Sequence, residues 1–184
     1  MIRNTSTAYG LVAVALHWSM ALILFALFGA GLYMTDLGYY DSLYHIAPWW
    51  HKSFGLLVLS LLIVRLFWKM VNPKPRPLAA HKPWEKKIAS ISHRLLYVLT
   101  LIVGCSGYLI STSKGDGVEF FGWFDVPSVL KITPEYTDLA GDVHFYLAWA
   151  LVLLAGAHGL AALKHHYIDR DDTLNNMTLR KHKT

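Results

Sequence analysis

The stretch from residue 144 to residue 166, HFYLAWALVLLAGAHGLAALKHH, decides the fold, because it is long and apolar and yet carries histidines. His144, His158 and His165 follow one another at intervals of 14 and 7 residues. At about 100° per residue, 14 residues turn a helix through four full turns less about 40°, so the three imidazoles lie along one stripe. His144 and His158 are then roughly 21 Å apart along the axis. One helix face therefore offers nitrogen ligands at two depths.

Four long stretches with almost no formal charge define the class of protein. They are residues 11–33, 53–68, 95–113 and 143–163, and only the second contains a charge, Arg65. About 20 residues cross roughly 30 Å of hydrocarbon, so three stretches are long enough, and the second becomes so if it extends to Trp49 and Lys69. The sequence therefore predicts an all-α membrane protein, a four-transmembrane-helix bundle that forms a single domain over 1–184, with helices at about 11–33, 49–69, 93–113 and 142–164.

Two further features argue against a cleaved signal peptide and against a c-type cytochrome. The first stretch is too long for the apolar region of a signal peptide, and no cleavage site follows it, so we expect it to stay in the mature chain. The chain has a single cysteine, Cys105, and no C-x-x-C-H motif, which argues against covalent attachment of a c-type haem.

The charges of the loops predict the orientation. Residues 69–94 carry seven Lys or Arg against one acid, and the tail adds Lys164, Arg170, Arg180, Lys181 and Lys183. By contrast, residues 34–50 contain no Lys or Arg, and the loop before the last helix contains two. The positive-inside rule therefore predicts that both termini and the middle loop are cytoplasmic. We attribute the basic excess to this topology and expect no nucleic-acid partner.

Two loops have a distinctive composition. Residues 72–84, NPKPRPLAAHKPW, are rich in proline and predict an extended linker, because a residue before proline is biased away from helix. Residues 120–130, FFGWFDVPSVL, are rich in aromatic side chains, which are typical of the membrane interface.

The histidines of the predicted spans pair by depth. His17 lies six residues inside the first stretch, and His158 lies six residues before Lys164, so both are about 9 Å from the same end. His51 and His144 open their helices at the opposite end. Facing imidazoles in an apolar bundle suit a haem held at both axial positions. His93 opens the third helix at the same end as His17, and spacing alone does not choose between them.

A zinc site is less consistent with the pattern, because it needs further ligands at one depth and these spans carry no acidic neighbour. Two other polar residues admit two interpretations each. His165 lies beside Lys164 at the interface and is either functional or a snorkelling side chain. Arg65 follows His51 by 14 residues, and it either pairs a haem propionate near the cytoplasmic site or snorkels.

Five segments carry a resemblance to a known family: ALHW, WWHKSFGLLVLSLLIVRLFW, HRLLYVLT, HFYLAWALVLLAGAHG and LKHHYIDRDDTL. In this order they resemble the prokaryotic cytochrome b561 family over nearly the whole chain. The resemblance implies two non-covalent b haems in a four-helix bundle of the bacterial inner membrane. By motif, His17 and His158 are the implied axial ligands of the cytoplasmic haem, and His51 and His144 those of the periplasmic haem. The resemblance thus favours His17 over His93.

The resemblance also implies electron exchange with ubiquinone. In one kind of member, superoxide gives its electron to haem, and the electron then reaches the quinone. His165 matches the first histidine of the family's HHY segment and is the first candidate for a quinone or proton contact, with His93 and Arg94 second.

The predicted outer segments are acidic, with three Lys against eight Asp or Glu residues, a net charge of −5. A negative field slows the capture of an anion such as superoxide, although Lys52 beside His51 offers a local positive site. We therefore carry two hypotheses. The first is a di-haem superoxide:ubiquinone oxidoreductase, and the alternative is a haem-bearing membrane anchor or quinone-reactive subunit that exchanges electrons with a separate periplasmic redox protein.

Overall fold

The computed structural model describes residues 1–76 and 82–178. Part of the predicted middle linker and three basic tail residues used in the orientation argument, Arg180, Lys181 and Lys183, lie outside the described residues. The elements in chain order are α1 (Leu11–Thr35), α2 (Ile46–Val71), α3 (Pro83–Thr112), β1 (Val118–Phe120), β2 (Phe124–Val126), α4 (Pro134–Tyr167) and the 3₁₀ turn Asn175–Met177.

All four α-helices are long and apolar enough to cross a membrane, which confirms the predicted all-α membrane fold. Neighbouring helices in the chain run antiparallel. We call the end of the bundle where α1 begins and α4 ends the terminal end, and the opposite end, which carries the two strands, the hairpin end. The predicted cytoplasmic location of the termini stays a prediction.

Two helices begin well before their predicted starts. α3 begins at Pro83, ten residues before the predicted start, and α4 begins at Pro134, eight residues early. Proline is well placed in a first helical turn, and at α3 the Glu85 carboxylate also accepts a hydrogen bond from the Lys82 N–H, at 2.8 Å. The prediction followed the uncharged stretches, whereas the helices continue through charged turns beyond them.

The interior of the bundle is small. Met20, Val58 and Leu62 form the buried apolar cluster between α1 and α2, and Tyr97 of α3 packs against it. Helices α3 and α4 make the most extensive contact, and α1 and α4 the least extensive among neighbours. Most other apolar side chains of the helices lie on the outside, as expected where lipid takes the place of water.

A two-stranded antiparallel hairpin adds to the helices at the hairpin end. Its strands pair Val118 with Val126 and Phe120 with Phe124. The chain reverses through Phe121 and Gly122, with φ angles of 51° and 75°. The sequence analysis placed the segment at the interface but did not predict strands.

Ser53 of α2 fastens this hairpin to the bundle. Its side chain is fully buried, and its hydroxyl donates to the Glu119 carbonyl and accepts from the Phe121 N–H, both at 3.2 Å. Trp49 Nε1 donates to the Glu119 carboxylate at 2.9 Å. The hairpin is therefore anchored within two residues of His51.

Candidate functional site

At the hairpin end, the rings of His51 and His144 lie edge to face, at an interplanar angle of 70° and with centroids 6.1 Å apart. Nδ1 of His144 lies 2.9 Å from the Val103 carbonyl, which only accepts, so this nitrogen carries the proton. Nε2 of the neutral ring then keeps its lone pair. A metal-binding histidine is commonly prepared in this way, with one nitrogen donating to a carbonyl and the other left for the metal.

Two glycines make room for these rings. A Cβ on Gly107 would lie 2.9 Å from Cε1 of His144, and a Cβ on Gly31 would lie 3.3 Å from Cε1 of His51. Gly107 and its neighbours Val103 and Ser106 were not among the residues predicted from the sequence. The available signal was the segment VGCSG, since small residues at short spacing in a span mark close helix contacts.

At the terminal end, three histidines lie together. The ring centroids of His17 and His158 are 6.4 Å apart. His93 is also close, with its ring centroid 5.0 Å from that of His158. His17 and His158 are half-buried, whereas His93 is exposed at the start of its span.

Arg65 contacts His17 directly. Its Nη2 lies 3.1 Å from Nδ1 of His17, and its guanidinium carbon lies 5.4 Å from the centre of the Tyr97 ring. The sequence offered a propionate contact or snorkelling for Arg65; the structure shows contacts with His17 and Tyr97, and the propionate contact stays a prediction. Because a guanidinium only donates, Nδ1 of His17 accepts, and a neutral His17 carries its proton on Nε2. His17 and His144 are thus held in opposite tautomers.

The ring separations test whether a metal fits between the rings. If two imidazoles bind one metal from opposite sides at about 2.0 Å, and each ring centre lies about 1.2 Å behind its nitrogen, the centres are roughly 6.4 Å apart. The separations of 6.4 Å for His17–His158 and 6.1 Å for His51–His144 agree with this value. The 5.0 Å separation of His93 and His158 is too short.

Several glycines of the helices have open space beside them. A Cβ on Gly29, Gly55, Gly141, Gly156 or Gly159 would meet nothing within 4 Å. The donor set and the ring separations fit a haem better than a small ion.

His165 belongs to a polar cluster at the terminal end. Its Nδ1 lies 2.7 Å from the Asp169 carboxylate and 3.4 Å from that of Asp171. Lys164 Nζ donates to Asp169 at 2.5 Å and lies 3.7 Å from Glu85 of α3. The hydrogen bond from Lys164 lowers the pKa of Asp169 below its usual 3.8, and His165 acts in the same direction.

The remaining predicted site residues are near the ends of the spans. Arg94 is exposed on α3, next to His93. Lys52 is exposed next to His51 and lines an open cleft of about 410 Å³. The other residues lining this cleft are Met34, Thr35, Tyr44, His45 and Pro48.

Comparisons with known proteins agree with this architecture. A sequence profile of the prokaryotic cytochrome b561 family matches residues 8–179. Cytochrome b561 homolog 2 of Escherichia coli (strain K12) is 46% identical over 174 residues, covering 95% of this chain and 93% of the relative. Cytochrome b562 of Cereibacter sphaeroides is 30% identical over 177 residues, covering 92% and 94%. The probable superoxide oxidase CybB of Yersinia pestis is 26% identical over 176 residues, covering 94% and 97%.

The family match includes all four α-helices and nearly the whole chain. The first of these relatives is similar over almost its full length. The chain therefore belongs to the prokaryotic cytochrome b561 family of haem b-binding, electron-transferring membrane proteins.

Proposed function

We propose that this chain binds two b haems and carries electrons between the ubiquinone pool and the periplasmic side of the bacterial inner membrane. His17 and His158 are the proposed axial ligands at the terminal end, and His51 and His144 those at the hairpin end. The observation that carries the proposal is the separation of the two ring pairs, 6.4 and 6.1 Å, which suits two imidazoles on one iron.

When bound, haem supplies reversible one-electron transfer, and the residues around it bind and orient it. The proposed ligand role of His144 is supported by the hydrogen bond from its Nδ1–H to the Val103 carbonyl, which leaves the lone pair on Nε2. The glycines next to the rings of His51 and His144 admit them without displacement. His144 and His158 lie roughly 21 Å apart along α4, so the two sites lie near opposite ends of the span.

The terminal end is the proposed location of the quinone contact. The reason is that His165, the first candidate for this contact, lies at that end of α4, and the basic loops favour a cytoplasmic position for the same end. His165 is placed between two carboxylates, those of Asp169 and Asp171, and this arrangement suits a histidine that passes protons to or from a quinone. His93 and Arg94 are the second candidates, because they lie where α3 enters its span.

Superoxide is the electron donor that we propose for the hairpin-end haem. Two superoxide anions would each release one electron and become dioxygen, while one ubiquinone takes up two electrons and two protons. A relative named a probable superoxide oxidase supports this reaction, as does Lys52 in the cleft next to His51. The net charge of −5 on the predicted outer segments opposes it.

To test this reaction, oxidised, ubiquinone-loaded protein is exposed to a steady flux of superoxide. The haem absorbance spectrum and the formation of quinol are then measured. Haem reduction followed by quinol formation, lost in His51→Ala and slowed in Lys52→Gln, is the expected result. Absence of haem reduction by superoxide, in protein that a quinol analogue reduces readily, would overturn the superoxide reaction and leave electron transfer intact.

The alternative role, a membrane anchor or quinone-reactive subunit for a separate redox protein, has one structural observation in its favour. Glu135, Asp138 and Asp142 are exposed and lie on one face of the first turns of α4, beyond the uncharged part of the helix. A carboxylate-lined projection suits contact with a basic protein surface. Co-purification of a periplasmic partner, with loss of electron transfer when the chain is isolated, would favour this role.

A further inference from the structure

The two histidine pairs differ in the charge next to them. At the terminal end, the Arg65 guanidinium lies 3.1 Å from His17, and the Lys69 ammonium lies 4.9 Å from the centre of the Tyr97 ring that Arg65 also contacts. At the hairpin end, the groups hydrogen-bonded to His144 are the neutral Val103 carbonyl and Ser106 hydroxyl. The carboxylate of Asp142 lies two residues before that histidine, and the one cation next to His51 in sequence, Lys52, is exposed, where solvent screens its charge.

The charge of Arg65 is not compensated by an acid. Among residues 1–76 and 82–178, no carboxylate lies within ion-pair distance of its guanidinium. The side chain is half-buried, in a span where lipid and apolar side chains screen charge poorly. An arginine stays protonated throughout, so this positive charge is permanent.

We propose that Arg65 raises the redox potential of the terminal-end haem above that of the hairpin-end haem and so directs electrons from the hairpin end to the terminal end. The proposal rests on the proposed function and deepens it, since it assigns a direction to electron flow. Its physical basis is that reduction of iron lowers the positive charge of the site by one unit. A neighbouring cation therefore favours the reduced form, and it does so most strongly in a low dielectric.

The hydrogen bond to His17 adds a second consequence. For Nε2 of neutral His17 to bind iron, the proton must be on Nδ1, and Nδ1 then no longer accepts from Arg65. Arg65 must therefore exchange His17 for another acceptor when haem binds. A haem propionate is an acceptor of the right charge, and a guanidinium is well suited to hold a carboxylate. Paired in this way, the Arg65 guanidinium offsets the negative charge of the propionate, so the site still favours the reduced form more than a site that lacks Arg65.

The test is a redox titration of purified, haem-loaded protein, followed by absorbance. In wild type we expect two one-electron steps, and single-site variants assign them, since His144→Ala retains the terminal-end site and His17→Ala the hairpin-end site. Arg65→Gln should lower only the terminal-end potential, changing its reduction equilibrium by about tenfold to a hundredfold. The one-electron constant of 59 mV per decade converts this to about 60–120 mV.

Two further variants separate charge from packing. Arg65→Lys keeps the charge and should keep most of the separation between the two steps. Lys87→Gln removes one exposed charge from the same end and should leave both potentials in place. An unchanged terminal-end potential in Arg65→Gln would overturn the proposal.

The single-site variants provide an independent check, even if Arg65→Gln loads no haem. A terminal-end potential equal to or below the hairpin-end potential would also overturn the proposal. Failure of the proposed function has a different signature, because wild-type protein would then lack two bis-histidine haem steps altogether.

Discussion

Replacing Gly107 with alanine should remove the haem of the hairpin end and spare that of the terminal end. The new Cβ would lie 2.9 Å from Cε1 and 3.1 Å from Nδ1 of His144. Carbon atoms in contact prefer about 3.5–4.0 Å, so the imidazole must move by roughly 0.5–1 Å. A ligand set tolerates displacements of only about 0.5 Å.

The displacement should also weaken the hydrogen bond that orients the His144 ring. Nδ1 of His144 now lies 2.9 Å from the Val103 carbonyl, and this bond holds Nε2 ready to bind. Loss of a partner that orients a metal ligand commonly costs about 10–100-fold in affinity. The assay is the ratio of haem to polypeptide in purified protein, which should fall from two to one in Gly107→Ala.

Gly104→Ala is the matched control. Gly104 lies one turn away on the same helix, and its new Cβ would meet the side chain of Leu59 and no histidine. Overpacking of this kind costs about 1–3 kcal/mol of stability, but it should leave both haems in place. The reasoning is refuted if Gly107→Ala binds two haems with the spectrum of wild type, or if Gly104→Ala loses the same haem.

Three further predictions address the rest of the structure. His17→Ala should lose the terminal-end haem, whereas His93→Ala should keep it, because the ring of His93 is too close to that of His158 for a metal to bind between them. The haem content of the two purified variants tests this. The opposite pattern would reverse the ligand assignment. Ser53→Ala should loosen the hairpin and lower the stability by about 1–3 kcal/mol, measured as a drop in Tm in detergent, since the Glu119 carbonyl and the Phe121 N–H lose their partner. An unchanged Tm would contradict this. The Lys164 contact lowers the pKa of the Asp169 carboxyl below its usual 3.8. The ionised carboxylate therefore stabilises the segment after α4 at pH values above 3.8, and this contribution is lost as the pH falls through the lowered pKa. Proteolysis of the tail should therefore accelerate on acidification in wild type but change little in Asp169→Asn, and equal pH dependence in both would count against the contact.

The depth pairing of the histidines was predictable, because it depends only on helix geometry. A rise of about 1.5 Å per residue places His17 and His158 equally far from one end, whatever the packing of the side chains. The choice between His17 and His93 was not predictable in this way. Both are near the same end, so spacing does not distinguish them; the proposed assignment to His17 rests on the family resemblance and on the ring separations of 6.4 and 5.0 Å, which depend on how the helices pack.

Two features could not be predicted from the sequence, the β-hairpin and the contact of Arg65 with His17, and the reasons differ. The strands are three residues long, and Phe121 adopts a left-handed conformation that favours glycine, so neither alternation nor turn composition marks them. Arg65 and His17 are 48 residues apart on antiparallel helices. Their contact depends on the rotation of α2 about its axis, which hydropathy does not specify.

The central claim is that four histidines hold two b haems in one chain. Quantitation of haem as its pyridine complex, against the polypeptide concentration of the purified protein, tests this claim most directly. We expect two non-covalent b haems per chain in wild type and one when either His51 or His17 is replaced by alanine. A ratio of one or less in fully loaded wild-type protein, or two haems retained in both variants, would contradict it.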